Sequence, residues 1–202
     1  MIPEVCIFGF GNVLFDTKIA YGNGLKRAFG SMDDVYDPSD FDEFFQMSLQ
    51  GLFGMRYREH PCRYREFVAE FLRGFEEKFH GCVPFPETAE TVKELHGKGT
   101  VLGIVSEYYE NEIRDLLEKH GIDDCFKSVV GFERTFLRRP DPYSLNLCLK
   151  ELNADSGTAV YVGGKSAALN AADNANVMKI KLDRSGIGVS DSAVTDLTGL
   201  LL

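Results

Sequence analysis

Four short stretches set polar residues where a loop would follow an apolar strand. They are Phe8-Gly9-Phe10-Gly11-Asn12-Val13-Leu14-Phe15-Asp16-Thr17, Gly103-Ile104-Val105-Ser106-Glu107, Arg138-Arg139-Pro140-Asp141-Pro142 and Tyr161-Val162-Gly163-Gly164-Lys165. Their shared chemistry is anion binding. Ser106 offers a hydroxyl, and Arg139 a guanidinium fork that fits phosphate or carboxylate. The loop after Gly9, with Gly11 and Asn12, offers backbone N–H groups, and Gly164-Lys165-Ser166 leads into a helix N-terminus, where the dipole favours anions. Lys165 either adds a cation there or is a solvated surface lysine. Glu107 is the carboxylate best placed to point near the same crevice. His60, His80, His96 and His120 show no triad or metal spacing. His96 and His120 fall near helix C-termini, where the dipole favours a partly cationic imidazole.

These residues need a scaffold that brings strand ends together. Val5 to Phe10 reads as a buried strand closed by a turn at Gly11-Asn12. Residues 18 to 83 space their apolar residues helically, punctuated by Pro38 and Pro61, which predicts a bundle of about four helices rich in phenylalanine. From Pro84 helices and strands alternate: helix 86–98, strand 100–105, helix 111–120 closed by Gly121, strand 127–130, helix 142–152, strand 159–162, helix 167–175 and strand 177–182. Such alternation means parallel βαβ units and an open twisted sheet, whose ligands sit beyond the carboxyl ends of the strands. The segment after Asp183 is too weakly patterned to assign.

In register, these motifs resemble the haloacid dehalogenase (HAD)-like hydrolase superfamily of the helical-cap type. That family opens with Asp-x-Asp-Gly after its first strand and places Ser or Thr after its second. Lys in Lys-Pro-Asp-Pro follows, then Val-Gly-Asp-x-x-x-Asp before an alanine-rich helix. The resemblance covers nearly the whole chain. It implies an α/β Rossmannoid fold with a parallel sheet in the order 3-2-1-4-5 flanked by helices, a core of residues 1–17 and 84–202, and a helical cap of residues 18–83. It also implies what is missing. The nucleophilic Asp falls at Gly9, the acid–base Asp at Gly11, the following glycine at Asn12, and the last two acidic positions at Gly164 and Ala168. Ser106 is retained, and Arg139 replaces the family's lysine. A carboxylate at 9 would be the nucleophile, one at 11 the proton carrier, and those at 9 and 164 would hold Mg²⁺. Glycine does none of this, so neither that chemistry nor a Mg²⁺ cofactor is expected. The expected function is a non-catalytic binding or regulatory protein that keeps an anion or phosphate site. The alternative is a hydrolase of altered mechanism, with Glu107 as the relocated acid; a third reading gives the binding to the cap surface alone.

Composition narrows the partners. With a net charge of −9 and no basic stripe, nucleic acid is not expected; Arg56, Arg58, Arg63 and Arg65 are interleaved with Glu59, Glu66 and Glu70. No apolar run reaches the ~20 residues of a membrane span, and the first residues lack the pattern of a signal peptide. Five cysteines without a CxxC pair suggest neither disulfides nor zinc, and fit reduced thiols in a cytoplasmic protein. Cys6 and Cys148 read as small buried hydrophobes. The expected ligand is small and anionic or phosphorylated; a protein partner or a homo-oligomer stays open.

Overall fold

A strand with no polar member, such as β1 (Val5–Phe8), is stable only where both of its faces are covered. The computed structural model, which describes residues 3–135, 137–184 and 193–201, places it at the centre of a parallel sheet. The chain divides into two units, Met1–Asp16 with Pro84–Leu202, and Thr17–Val83.

In the first unit, β1 leads to the short β2 (Phe15–Asp16), and the chain returns through β3 (Val83–Pro84). There follow α5 (Thr88–Gly97), β4 (Val101–Val105), α6 (Glu110–Lys119), β5 (Phe126–Val130), α7 (Tyr143–Leu152), β6 (Ala159–Gly163), α8 (Ser166–Asn174), β7 (Met178–Leu182) and β8 (Ala193–Val194). The sheet order is β5-β4-β1-β6-β7-β8, with parallel pairing throughout. Its first five strands have the expected 3-2-1-4-5 order. The sixth, β8, extends the sheet in the segment that the sequence pattern left unassigned. One face packs against α7 and α8 through a continuous core that includes Val5, Ile7, Leu145, Cys148, Leu149, Tyr161 and Ala172. The helix after β4 closes as its sequence predicts: Gly121, with φ +65°, takes the left-handed position just beyond it.

The second unit holds α1 (Lys18–Ser31), α2 (Phe41–Gln46), α3 (Leu49–Tyr57) and α4 (Tyr64–Phe79). Its phenylalanines are core: the Phe29 ring lies 5.6 Å from Phe44, 5.9 Å from Tyr57 and 6.1 Å from Phe67. Helices α1 and α4 approach so closely that a Cβ on Gly74 would stand 2.6 Å from the Asn23 carbonyl oxygen. Asn23 Nδ2 donates to the Gly74 carbonyl at 2.6 Å across the same crossing. Of the interleaved arginines, Arg56 pairs with Asp34, Arg58 with Glu59 and Arg63 with Glu66, so they serve the unit's own surface.

An ion-pair network fastens the loops that follow β4 and β5. Arg134 donates to Glu110, to the Val129 carbonyl and to Glu151. Ser128 Oγ also donates to Glu151 at 2.7 Å, and the Glu110 backbone N–H donates to Glu133 at 3.0 Å. Burial by itself would raise the Glu151 pKa, but the bonds from Arg134 and Ser128 outweigh it and hold this carboxyl below the ordinary glutamate range. A depressed folded pKa contributes stability that is present above the unfolded value of about 4.3 and lost as pH falls through the folded value. Urea unfolding of the wild type and Arg134→Met should therefore differ most above pH 5, and the gap should close as the solution is acidified. A gap that is constant with pH would contradict this account of the network.

Candidate functional site

The crevice residues stand where β1, β4 and β6 end, and the register explains why they meet. Val5 is opposite Ala159 and Ile7 opposite Tyr161, so the next pair along is Gly9 and Gly163, and the Gly9 N–H donates to the Val162 carbonyl at 2.9 Å. Tyr161, 1% exposed, extends its ring along β6 towards both glycines. A Cβ on Gly9 would lie 3.1 Å from the phenol oxygen, and one on Gly163 2.6 Å from the ring. Two facing positions without side chains, one on each strand, thus make the space that this tyrosine fills. Burial raises its pKa; Arg139 lowers it in part, and Glu107 raises it further. The phenol is therefore neutral, with its oxygen beside Gly9 and Gly163. The sequence reading missed Tyr161. Its signal was the two-residue alternation that puts positions 5, 7 and 9 on the face of 159, 161 and 163.

Two cations stand at neighbouring strand ends. Arg139 Nη2 donates to the Val105 carbonyl at 3.0 Å, which anchors the guanidinium at the end of β4 beside Ser106. Lys165 is the N-cap of α8, a helix that starts without a side-chain cap. Burial lowers the Lys165 pKa, and the neighbouring Glu107 carboxylate and Arg139 guanidinium act on it in opposite senses. Lys165 is half-buried beside those groups and is not a solvated surface lysine. Ser106 is buried; its hydroxyl accepts the Tyr108 N–H at 3.1 Å, and its own N–H donates to the Val130 carbonyl. Glu107 is exposed.

The loop after Gly9 is less available than its sequence suggests. The N–H groups of Asn12, Val13 and Leu14 all donate within the turn, to Phe15, Phe10 and Phe10. Asn12 can meet a ligand only through its side chain, whose Oδ1 is buried without a protein partner. Its φ of +58° explains why asparagine stands where the family has glycine, because few other side chains tolerate that conformation. Gly9 and Gly11 have no positive φ, so no backbone strain demands glycine at either. Ala168, on α8, is 2% exposed and belongs to the core that α7 and α8 share with the sheet.

Several side chains fall outside the site. Asp141 accepts the Tyr143 N–H at 2.9 Å and opens α7, while Asp173 pairs with Lys179. His120 caps α6, but burial, with help from Lys119, lowers its pKa, so the imidazole is neutral and the expected cationic role gives way to desolvation. Cys6, Cys82, Cys125 and Cys148 are buried, Cys62 is exposed, and none of the five forms a disulfide.

The residues at the family's metal positions do not fit a divalent cation. Glycine stands at 9 and 164, Arg139 and Lys165 stand nearby, and a Cβ on Gly164 would sit 3.0 Å from the Leu182 carbonyl oxygen. Among the described residues, no group of three His, Cys, Asp or Glu side chains is placed to hold a metal ion. Asn12→Gly keeps the left-handed turn and removes the orphaned amide, so it should leave stability unchanged or raise it. Asn12→Val should lose at least ~1–2 kcal/mol in chemical unfolding, because β-branching opposes a positive φ. Equal stability of the two variants would mean that the turn is not held as described.

Comparison with known proteins follows the same lines. The model of the family described as haloacid dehalogenase-like hydrolase matches residues 6–181. A phosphoglycolate phosphatase of Vibrio cholerae is 32% identical over 91 residues, 45% of this chain and 40% of that enzyme. The pyrophosphatase PpaX of Listeria innocua is 27% identical over 148 residues, 72% of this chain and 66% of that enzyme. The chain thus spans less than two thirds of the length of these curated relatives. The crystal structure of CbbY from Rhodobacter sphaeroides in complex with phosphate superposes with a TM-score of 0.76 at 17% identity, covering 100% of both chains. At that identity the likeness speaks for the fold. Motif order, sheet topology and a family match over most of the sequence agree: the chain belongs to the haloacid dehalogenase-like hydrolase family.

Proposed function

We propose that this protein binds a small phosphorylated or otherwise anionic ligand at the carboxyl edge of its sheet, and does not hydrolyse it by the family's aspartyl-phosphate route. The observation that carries this reading is the pairing of glycine at 9, 11 and 164 with Ser106, Arg139 and Lys165 at the same strand ends. Phosphate-monoester hydrolysis is slow enough to need acceleration of up to ~10²¹, and loss of one member of a catalytic unit can cost about 10⁶ in turnover. Nucleophile, proton carrier and metal carboxylates are absent together. The negative charge that an anion would otherwise meet is absent with them. The reading is also supported by the phosphate in the CbbY crystal structure, a protein of the same fold.

Such a protein acts by holding its ligand, as a sensor or regulator, and its partners are small molecules or other proteins. The net charge of −9 argues against nucleic acid. No helix among the described residues is long and apolar enough to cross a membrane. Five cysteines that form no disulfide favour a reducing compartment such as the cytoplasm.

A second reading has its own support, because the relatives are named as phosphatases and a pyrophosphatase. In that reading a hydrolase works by an altered mechanism, and Glu107, within electrostatic reach of Lys165 and Tyr161, supplies the acid. The discriminating assay offers phosphoglycolate, pyrophosphate and a generic aryl phosphate with Mg²⁺. The binding reading expects no turnover above that of a mock purification, and none gained by Gly9→Asp alone. Turnover that disappears in Glu107→Gln would establish the altered mechanism instead.

A further inference from the structure

The family's anion site depends on a divalent cation to offset its own carboxylates and the anionic oxygens of the phosphate. Here the donor set points elsewhere. Gly9 and Gly164 contribute no oxygen ligand, and the residue after Gly164 is a lysine held half-buried at the start of α8. Lys165 follows the end of β6, the strand paired with β1, and Glu107 and Arg139 act on its charge in opposite senses. Arg139 is fixed from the other side by its bond to the Val105 carbonyl, next to the buried Ser106.

Formal charge decides which cation the site can accept. Arg139 and Lys165 are basic and Glu107 acidic, so among these three a divalent cation would meet two basic side chains and a single carboxylate. It would find few of the six oxygens that Mg²⁺ demands. A phosphate dianion meets the opposite situation. It can take the guanidinium fork, the ammonium and the hydroxyl together, with the uncapped first turn of α8 beside them. A side chain at 164 would stand 3.0 Å from the Leu182 carbonyl oxygen, and one at 9 within 3.2 Å of the Tyr161 phenol and Val13, so either would need its neighbours to shift by a few tenths of an ångström.

We infer that the Lys165 ammonium takes over the charge role of the divalent cation, so that this crevice binds phosphate groups without metal. The inference rests on the anion-binding reading above and deepens it, since it names the group that supplies the charge and excludes one that relatives would need.

The test is calorimetric titration of the full chain with inorganic phosphate at low ionic strength, once in EDTA and once with millimolar Mg²⁺. The wild type should bind with the same affinity in both buffers. Lys165→Met should weaken binding about tenfold or more, as expected for loss of a charge-assisted contact, with no recovery in Mg²⁺. Lys165→Arg should keep most of the affinity. If the Met variant fails to fold by circular dichroism, Lys165→Gln replaces it in the same comparison. Binding that requires Mg²⁺, or Lys165→Met binding as well as the wild type, overturns the inference and leaves the anion site standing. Failure of the wild type to bind phosphate in either buffer overturns the anion-site reading, and the inference with it.

Discussion

A parallel sheet delivers the carboxyl ends of all its strands to one edge, and everything proposed for this protein depends on that constraint. Because β1 is central, the loops after β1, β4 and β6 are neighbours although more than 50 residues separate each from the next in sequence. What the edge can do is then fixed by the side chains at those three ends. With carboxylates it would concentrate negative charge and call for a metal. With glycine at 9 and 164, and with Arg139 and Lys165 at neighbouring strand ends, the edge proposed to bind anions carries basic side chains on a protein whose total charge is −9. Local charge inside a low-dielectric crevice outweighs distant surface charge, which salt screens over about 8 Å.

The Tyr161 ring shows how the loss of side chains is built into the packing. It is held in the core by its strand neighbours, and its phenol ends in the space beside Gly9 and Gly163. The glycines are not there for backbone freedom, since Gly9 has no positive φ. They give room to a neighbour. Asn12 illustrates the opposite case, in which a left-handed backbone selects the residue and the side chain is secondary. The same loop therefore contains positions constrained by space and by torsion, and only coordinates separate the two.

Much of the fold was legible in the sequence because hydrophobic period and turn chemistry are local signals. The buried run at Val5–Phe8, the alternation after Pro84 and Gly121 beyond α6 all have local causes. The two-residue β8 was not legible, because so short a strand has no period to detect. The site was half legible. Ser106 and Arg139 follow from motif spacing, but the burial of Lys165, the reach of Tyr161 and the neutral state of His120 depend on neighbours distant in sequence. Asn12 is the clearest example of a wrong expectation with a simple cause. A loop N–H counts as a free donor until the turn that consumes it is known, and Phe15 accepts this one at 2.7 Å.

The central claim is that this sheet edge is a metal-free anion site. The most direct measurement is a crystal structure from crystals soaked in phosphate together with Mn²⁺, with anomalous scattering used to locate the metal. The claim predicts an anion within hydrogen-bonding distance of Ser106, Arg139 and Lys165, and no anomalous peak in the crevice. A Mn²⁺ peak bridging the phosphate and Glu107 would contradict it, and would return the protein to metal-assisted chemistry by a rearranged set of ligands.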